Sequence, residues 1–236
     1  RSLGFLPEES PLYENMTARS YLSFFADLYD VPDVTAEERI ESTLDRLDLD
    51  HRERRLGDVS KGMKRKVAIA RSLVNDPDVL VYDEPASGLD PLTTHEVLQF
   101  VQELADDGKT VVFSAHNLYH VADLCDRVVV MNEGEIIARG GVAEIREAHG
   151  RTTYRVFATA PLPESEPAGN RHVVEVESLD AADAVRERVR EAGGEVTDVR
   201  TDEPSLEDVF LELTGERSDH RRTETTAGSP DSEGSS

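Results

Sequence analysis

The amino-acid sequence predicts an α/β fold: a parallel β-sheet covered by helices, followed by a small α+β appendage. Three observations lead there. Val79–Tyr82 and Thr110–Ser114 are short, continuously apolar runs, and between them Leu92–Leu104 carries Val97, Leu98, Val101 and Leu104 on one helical face. Strand, long helix, strand with little polar alternation is the pattern of a parallel sheet buried on both faces. Beyond Thr152 the pattern changes to the alternation of half-exposed strands, which marks a second, smaller unit.

Residues 2–6 (SLGFL) read as a short strand. Residues 16–49 are helical in character: Tyr21, Leu22, Phe24, Phe25, Leu28 and Tyr29 form one wide apolar stripe, and Ile40, Leu44 and Leu47 form another. Pro32 separates the two, and Thr35, with Glu38 three residues on, is placed to cap the second helix. Ser60 is a plausible N-cap for a helix reaching about Asn75, with Met63, Val67, Ala70 and Val74 inward. Asn75-Asp76-Pro77 ends it, because proline disfavours helical geometry in the residue before it. Asp107-Gly108 turns the chain into Thr110–Ser114, and His116–Leu124 is a further short helix. Arg127–Met131 turns through Asn132-Glu133-Gly134 into Glu135–Ala138, an antiparallel hairpin expected at the sheet edge. In the appendage, Thr153–Thr159, His172–Val176 and Glu195–Thr201 read as strands, 161–170 as a connecting segment, and Ala181–Ala192 and Ser205–Leu213 as helices. Residues 215–236 hold almost no large apolar side chain and read as a disordered acidic tail.

The formal net charge of −23 disfavours nucleic acid and anionic lipid over most of the surface. Basic charge is mostly arginine, since the only lysines are Lys61, Lys64, Lys66 and Lys109, and this acidic bias fits a protein working in concentrated salt. Cys125 is the only cysteine, so no internal disulfide is possible and a zinc cluster is unsupported; a cytoplasmic setting follows as the better reading. No run approaches the roughly 20 apolar residues that cross a bilayer.

The chemistry concentrates in Val79–Asp90, VLVYDEPASGLD. Asp83 lies just beyond a buried strand, the position from which a carboxylate serves Mg²⁺ in nucleotide hydrolases. Glu84 is next to it where the backbone turns, suited to orient an attacking water. Ser60-Lys61-Gly62 at a helix start offers a hydroxyl, accessible N–H groups and the positive helix end, the ingredients of an anion site; an ordinary capped helix is the plainer alternative. His116 follows the strand expected beside Val79–Tyr82, so its ring can reach the same crevice as Glu84; a surface histidine capping the next helix is the alternative.

Residues 1–150 resemble the ATP-binding subunit of ABC transporters, from just before the Q-loop onward. VSKGM at Val59–Met63 matches the signature motif, VLVYDEP at Val79–Pro85 the Walker B motif, SGLD at Ser87–Asp90 the D-loop and SAH at Ser114–His116 the H-loop. The appendage, ending in PSLEDVFLELTG, resembles the C-terminal extension of the subgroup that works with ABC-2 type permeases. The resemblance implies a P-loop NTPase-like core over 1–150 with a helical subdomain at about 14–76, and a small α+β extension over 151–214. It implies a homodimer or paired ATP-binding subunit holding ATP and Mg²⁺ between subunits, at the cytoplasmic face of a membrane, powering solute export through a separate permease. Ser60 and Gly62 would contact the γ-phosphate held mainly by the other subunit, with Lys61 and Met63 as further nucleotide-binding residues, Asp83 and Glu8 would serve the metal, Glu84 the water, His116 the γ-phosphate, and Asp90 would bridge the dimer interface. Glu8 stands where many members have glutamine, and Lys61 and Met63 stand where glycine and glutamine are commonest; SKGM is typical of the subgroup.

No G-x-x-x-x-G-K-[ST] string occurs in the sequence and the first residue is not methionine, from which an N-terminally truncated, partial core is expected, lacking its first strands and phosphate loop and inactive alone. Two other readings stand beside transport: a soluble ABC-type ATPase, and a non-catalytic interaction module.

Overall fold

Three parallel strands, β1 (Leu3–Leu6), β2 (Val79–Tyr82) and β3 (Thr110–Phe113), lie side by side in that order. The computed structural model describes residues 3–215, which divide into a first unit ending at His120 and a second beginning at Val121. In the first unit the register pairs Leu6 with Tyr82 and Tyr82 with Phe113, so the three strands end level. Pro7, Asp83 and Ser114 are therefore the next residues at one edge, the edge where open parallel sheets bind ligands.

The sheet is fixed by alternation. Leu6, Leu80 and Tyr82 are fully buried against α3 (Lys61–Leu73) and its neighbours. Gly4 allows that approach, because a Cβ there would lie 2.4 Å from the Ser72 carbonyl oxygen. Ser72 also shares a 2.8 Å hydrogen bond with the Tyr82 hydroxyl, which supplies the buried phenol with its partner. β1, which the sequence places alone at the start of the chain, pairs along its whole length with β2.

Two helices follow β1 in the chain and pack on each other and on α3. α1 (Ala18–Leu28) starts at Thr17, whose side chain accepts from Ser20 N–H in a capping box. Tyr21 and Leu22 are buried, but Phe24, Leu28 and Tyr29 are exposed, so the expected stripe is wider than the face the helix buries. α2 (Asp33–Arg46) begins directly after Pro32, and no side chain caps it. Thr35 lies inside that helix rather than capping it: the extended Pro32 ends the preceding turn early, and Asp33 supplies the negative charge favoured in the first turn. Ile40, Leu44 and Leu47 are buried as expected. α3 ends at Leu73, short of Asn75, and Asp76 takes a left-handed φ of 50°. α4 (Pro91–Asp106) buries Val97, Leu98, Val101 and Leu104, with Phe100 beside them.

α5 (Leu118–Leu124) carries the chain from one unit to the other. His116 lies ahead of it; the Asn117 carboxamide accepts from the N–H groups of Tyr119 and His120 at the helix start. β4 (Arg127–Asn132) and β5 (Glu135–Gly141) form a two-stranded antiparallel sheet of their own. The hairpin expected at the edge of the parallel sheet has no ladder with it. After α6 (Val142–His149), β6 (Thr153–Ala158), β7 (Glu166–Ala168), β8 (Arg171–Val176) and β9 (Val196–Asp202) make an antiparallel sheet in the order β7-β8-β6-β9. β7 occupies part of the segment read as connection. α7 (Leu179–Glu191) covers one face through Ala182, Val185 and Val189 against Val156, Ala158 and Val174. α8 (Leu206–Thr214) is capped by Ser205. The expected tail from residue 216 lies outside the described residues. Among those described, no helix is long and apolar enough to cross a membrane.

Candidate functional site

At the level ends of β1, β2 and β3, one hydroxyl organises two carboxylate residues. Ser114 Oγ donates to Asp83 Oδ1 at 2.6 Å, and the same oxygen accepts from the Glu84 backbone N–H at 3.0 Å. The strand register makes this possible, since Tyr82 pairs with Phe113 and the next residues face each other. Glu84 has φ +47°, in the left-handed region, which costs a residue with a side chain about 1–3 kcal/mol unless its surroundings hold it. Its carboxylate is turned inward, with the side chain 13% exposed, and Oε1 is 3.3 Å from His116 Nε2. The structure thus brings Asp83, Glu84 and His116 together. Around Glu84 and His116 opens a cleft of about 300 Å³, lined also by Ser87, Gly88, Phe113 and His120.

Sequence reasoning missed the residue that holds the other side of this turn. Arg65, on α3, is buried, and its guanidinium donates five hydrogen bonds, all to backbone carbonyls. Nη1 reaches Pro7 and Glu8, each at 2.8 Å; Nη2 reaches Asp83 at 2.8 Å and Glu84 at 2.7 Å; Nε reaches Pro85 at 2.9 Å. All five donors of the group are used. Burial pulls its pKa below the ordinary arginine value, and the charges of Asp83 and Glu8 oppose that. Ser114 was read as the end of a strand and the first residue of the SAH motif, with no role of its own; the signal for that role was the Ser-x-His spacing opposite Asp83-Glu84.

The remaining predicted residues fall around the N-termini of α3 and α4. Ser60 caps α3 by accepting from Met63 N–H at 3.2 Å, which leaves its own hydroxyl proton for another acceptor. Lys61 and Glu8 share a second cleft of about 460 Å³ with Lys64, Arg65 and Ser87. Gly62 is required by packing: a Cβ there would lie 2.7 Å from Thr93 Cγ2 on α4. Met63 is half-buried against the main core. Asp90 caps α4, accepting from Thr93 N–H at 3.1 Å and Thr93 Oγ1 at 2.7 Å, and these bonds hold its carboxyl below the usual range.

Among the described residues, no group of three or more His, Cys, Asp and Glu side chains could hold a metal ion by itself. The donor set fits Mg²⁺ in another way, since this ion commonly takes one or two carboxylates and completes its shell with water and nucleotide phosphates. Asp83, oriented by Ser114, would supply such a carboxylate.

The family model "ABC transporter" matches residues 1–87, and the model "ATP-binding protein DrrA1-3-like, C-terminal domain" matches 140–214. The Nod factor export ATP-binding protein I of Rhizobium sp. (strain N33) is 34% identical over 222 residues, covering 91% of this chain and 73% of that protein. The chain belongs to the ATP-binding proteins of ABC transporters. ABC transporter ATP-binding protein NatA of Bacillus subtilis is 40% identical over 141 residues, 59% of this chain and 57% of that protein. With two further relatives covered over 41% and 46%, the chain spans about half the length of the first curated relatives it matches. A solved ATP-binding subunit of an ABC transporter aligns with a TM-score of 0.57 and 31% identity, over 63% of this chain and 62% of that one. A dimeric ATP-binding cassette bound to ADP and phosphate aligns with a TM-score of 0.53 over 60% of this chain and 63% of that one, at 23% identity, and speaks for the fold alone.

The family match corrects the expectation of a truncated, partial core. It starts at residue 1 and runs through β1 and the loop after it, so the N-terminal residues belong to the ATP-binding domain. The inference of lost N-terminal strands and phosphate loop, and with it the expectation that the chain alone is inactive, is overturned on that ground. In physical terms, one consensus string was made to stand for a whole domain, whereas the domain is recognised by the sheet edge and its loops together.

Proposed function

We propose that this protein is the ATP-hydrolysing subunit that powers export of a solute through a separate ABC-2 type membrane permease. The observation that carries the reading is the Glu84–His116 pair at the end of β2, 3.3 Å apart and opening on a cleft. The C-terminal match to the DrrA1-3-like domain and the relative named for Nod factor export support coupling to export.

Two such subunits, as a homodimer or a mixed pair, would meet head to tail at the cytoplasmic face of the membrane. Ser60, Lys61, Gly62 and Met63 of one would face the terminal phosphate of ATP held mainly by the other. A basic side chain, a free hydroxyl proton and the N-terminus of α3 suit that phosphate. Asp90, at the start of α4, would lie at the interface. Asp83 would hold Mg²⁺, with Glu8 toward the same metal from the loop after β1; the ion would neutralise charge on the phosphates. Glu84 would orient a water and take its proton as the water oxygen attacks the γ-phosphorus in line and ADP leaves. His116 would donate its N–H to the γ-phosphate or, in its place, to the Glu84 carboxylate.

Phosphate release from Mg-ATP by the purified protein tests this, together with sedimentation with and without ATP. Turnover lowered by His116→Ala and a shift from single subunits to pairs on adding ATP are expected. Turnover that survives His116→Ala and Asp83→Asn unchanged would remove these residues from the role. ATP hydrolysis with no dependence on a co-expressed permease in export assays would favour a soluble ATPase.

A further inference from the structure

Two loops of the site are joined by a single side chain that belongs to neither. The loop after β1 carries Glu8, the loop after β2 carries Asp83 and Glu84, and the Arg65 guanidinium donates to backbone carbonyls of both loops. We propose that Arg65 is a positioning residue for hydrolysis: it fixes the peptide of Glu84 from the carbonyl side and makes the loops after β1 and β2 shift together, in step with α3. This rests on Glu84 being the residue that orients the water.

The geometry explains why an arginine is needed. Glu84 has φ +47°, so its two peptides must be pinned for the carboxylate to keep one aim. Ser114 pins the N–H side and Arg65 the carbonyl side. The fork reaches Pro7 and Glu8 with one nitrogen, Asp83 and Glu84 with another, and Pro85 with the third. An ammonium is a compact point with three donors and cannot span that arc. The acceptors come from positions about 18 to 20 and 57 to 58 residues away along the chain, so the clamp ties together segments that are far apart in sequence. α3 is also the helix whose start carries Ser60, Lys61 and Gly62. A displacement of that helix therefore reaches Glu84 through one group.

Arg65→Lys and Arg65→Gln test the proposal, with Lys66→Met as a comparison. Lys66 is a second buried cation on α3, but its Nζ binds the Leu47 carbonyl at 2.9 Å and Glu96 at 2.8 Å, away from both loops. Two readouts are taken on the full chain: kcat and KM for Mg-ATP, and amide hydrogen exchange resolved by segment. For Arg65→Lys, kcat is expected to fall on the order of 10- to 100-fold, with KM within about threefold of the parent. Exchange over 7–9 and 83–86 rises together while 18–46 is unchanged. Lys66→Met lowers stability yet leaves kcat within about twofold and both loops protected. Parent-like kcat in Arg65→Lys, or loss in Arg65→Lys and Lys66→Met alike in proportion to lost stability, overturns the proposal. So does loosening of only one loop, or of neither. If the parent itself turns over no ATP, the proposed function fails while the exchange arm still decides the clamp by whether both loops loosen at once.

Discussion

The backbone N–H of Glu84 donates to the Ser114 hydroxyl at 3.0 Å, across 30 residues of sequence. That hydroxyl in turn donates a hydrogen bond to Asp83 Oδ1 at 2.6 Å, so one oxygen sets both the aim of a carboxylate and the turn of its neighbour. The consequence is that Asp83 and Glu84 are not independent acids after a strand; they are two readings of one hydrogen-bonded corner.

Ser114→Ala removes both bonds. Since the corner is partly open to water, a loss of about 1 kcal/mol in unfolding free energy is expected, with a larger proportional loss in ATP turnover. Ser114→Thr keeps the hydroxyl and recovers most of both. Denaturant titration and phosphate-release rates check this, and equal behaviour of the Ala and Thr variants would contradict it.

Gly62→Ala is a test of packing against propensity. Alanine in a helix usually gains about 1 kcal/mol over glycine. Here its Cβ would lie 2.7 Å from Thr93 Cγ2, and forcing such a contact costs about 1–3 kcal/mol. Net destabilisation is expected, partly recovered in Gly62→Ala/Thr93→Ser, where the methyl is gone and the bond to Asp90 remains. Thermal melts of the single and double variants decide.

Asp76 gives a pH signature. Lys109 Nζ lies 2.8 Å from its carboxylate, and that hydrogen bond holds the Asp76 pKa below the usual aspartate value. A carboxyl whose folded pKa is depressed contributes stability above its unfolded pKa, about 3.9, and loses it as pH falls through the lower folded value. Lys109→Met is therefore expected to cost about 1 kcal/mol near neutral pH, because the Asp76 side chain is 55% exposed and water screens the pair. That pH-dependent part should be present at neutral pH and lost in strong acid, below the depressed folded value. Urea titrations at the two pH values test it; a cost that grows toward acid would contradict the sign.

Much of this site was legible because its signals are local. Ser60 announces a helix start, Val79–Tyr82 a buried strand, and the strand beside it places His116 near Glu84. Arg65 was not legible. In the sequence it stands in a compact basic run with Lys61, Lys64 and Lys66 that reads as part of an anion site, yet Arg65 and Lys66 are both buried. What they bind are carbonyls and a carboxylate from distant segments, which no local pattern displays. The same limit explains Gly62, read as leaving N–H groups accessible but set by the approach of Thr93, and the aromatic stripe of α1, whose Phe24 and Tyr29 lie beyond the face that the core can cover. The hairpin β4–β5 was legible as a hairpin, since turn chemistry is local, but that it forms a two-stranded sheet of its own was not.

The central claim is that Glu84 orients the water that ends as phosphate. Glu84→Gln keeps the shape of the side chain and removes its capacity to take a proton. Equilibrium binding of Mg-ATP and single-turnover hydrolysis should be measured on this variant and the parent. Affinity within about threefold and hydrolysis slowed by about 100-fold or more is the expected result; equal single-turnover rates in the two proteins would contradict the account.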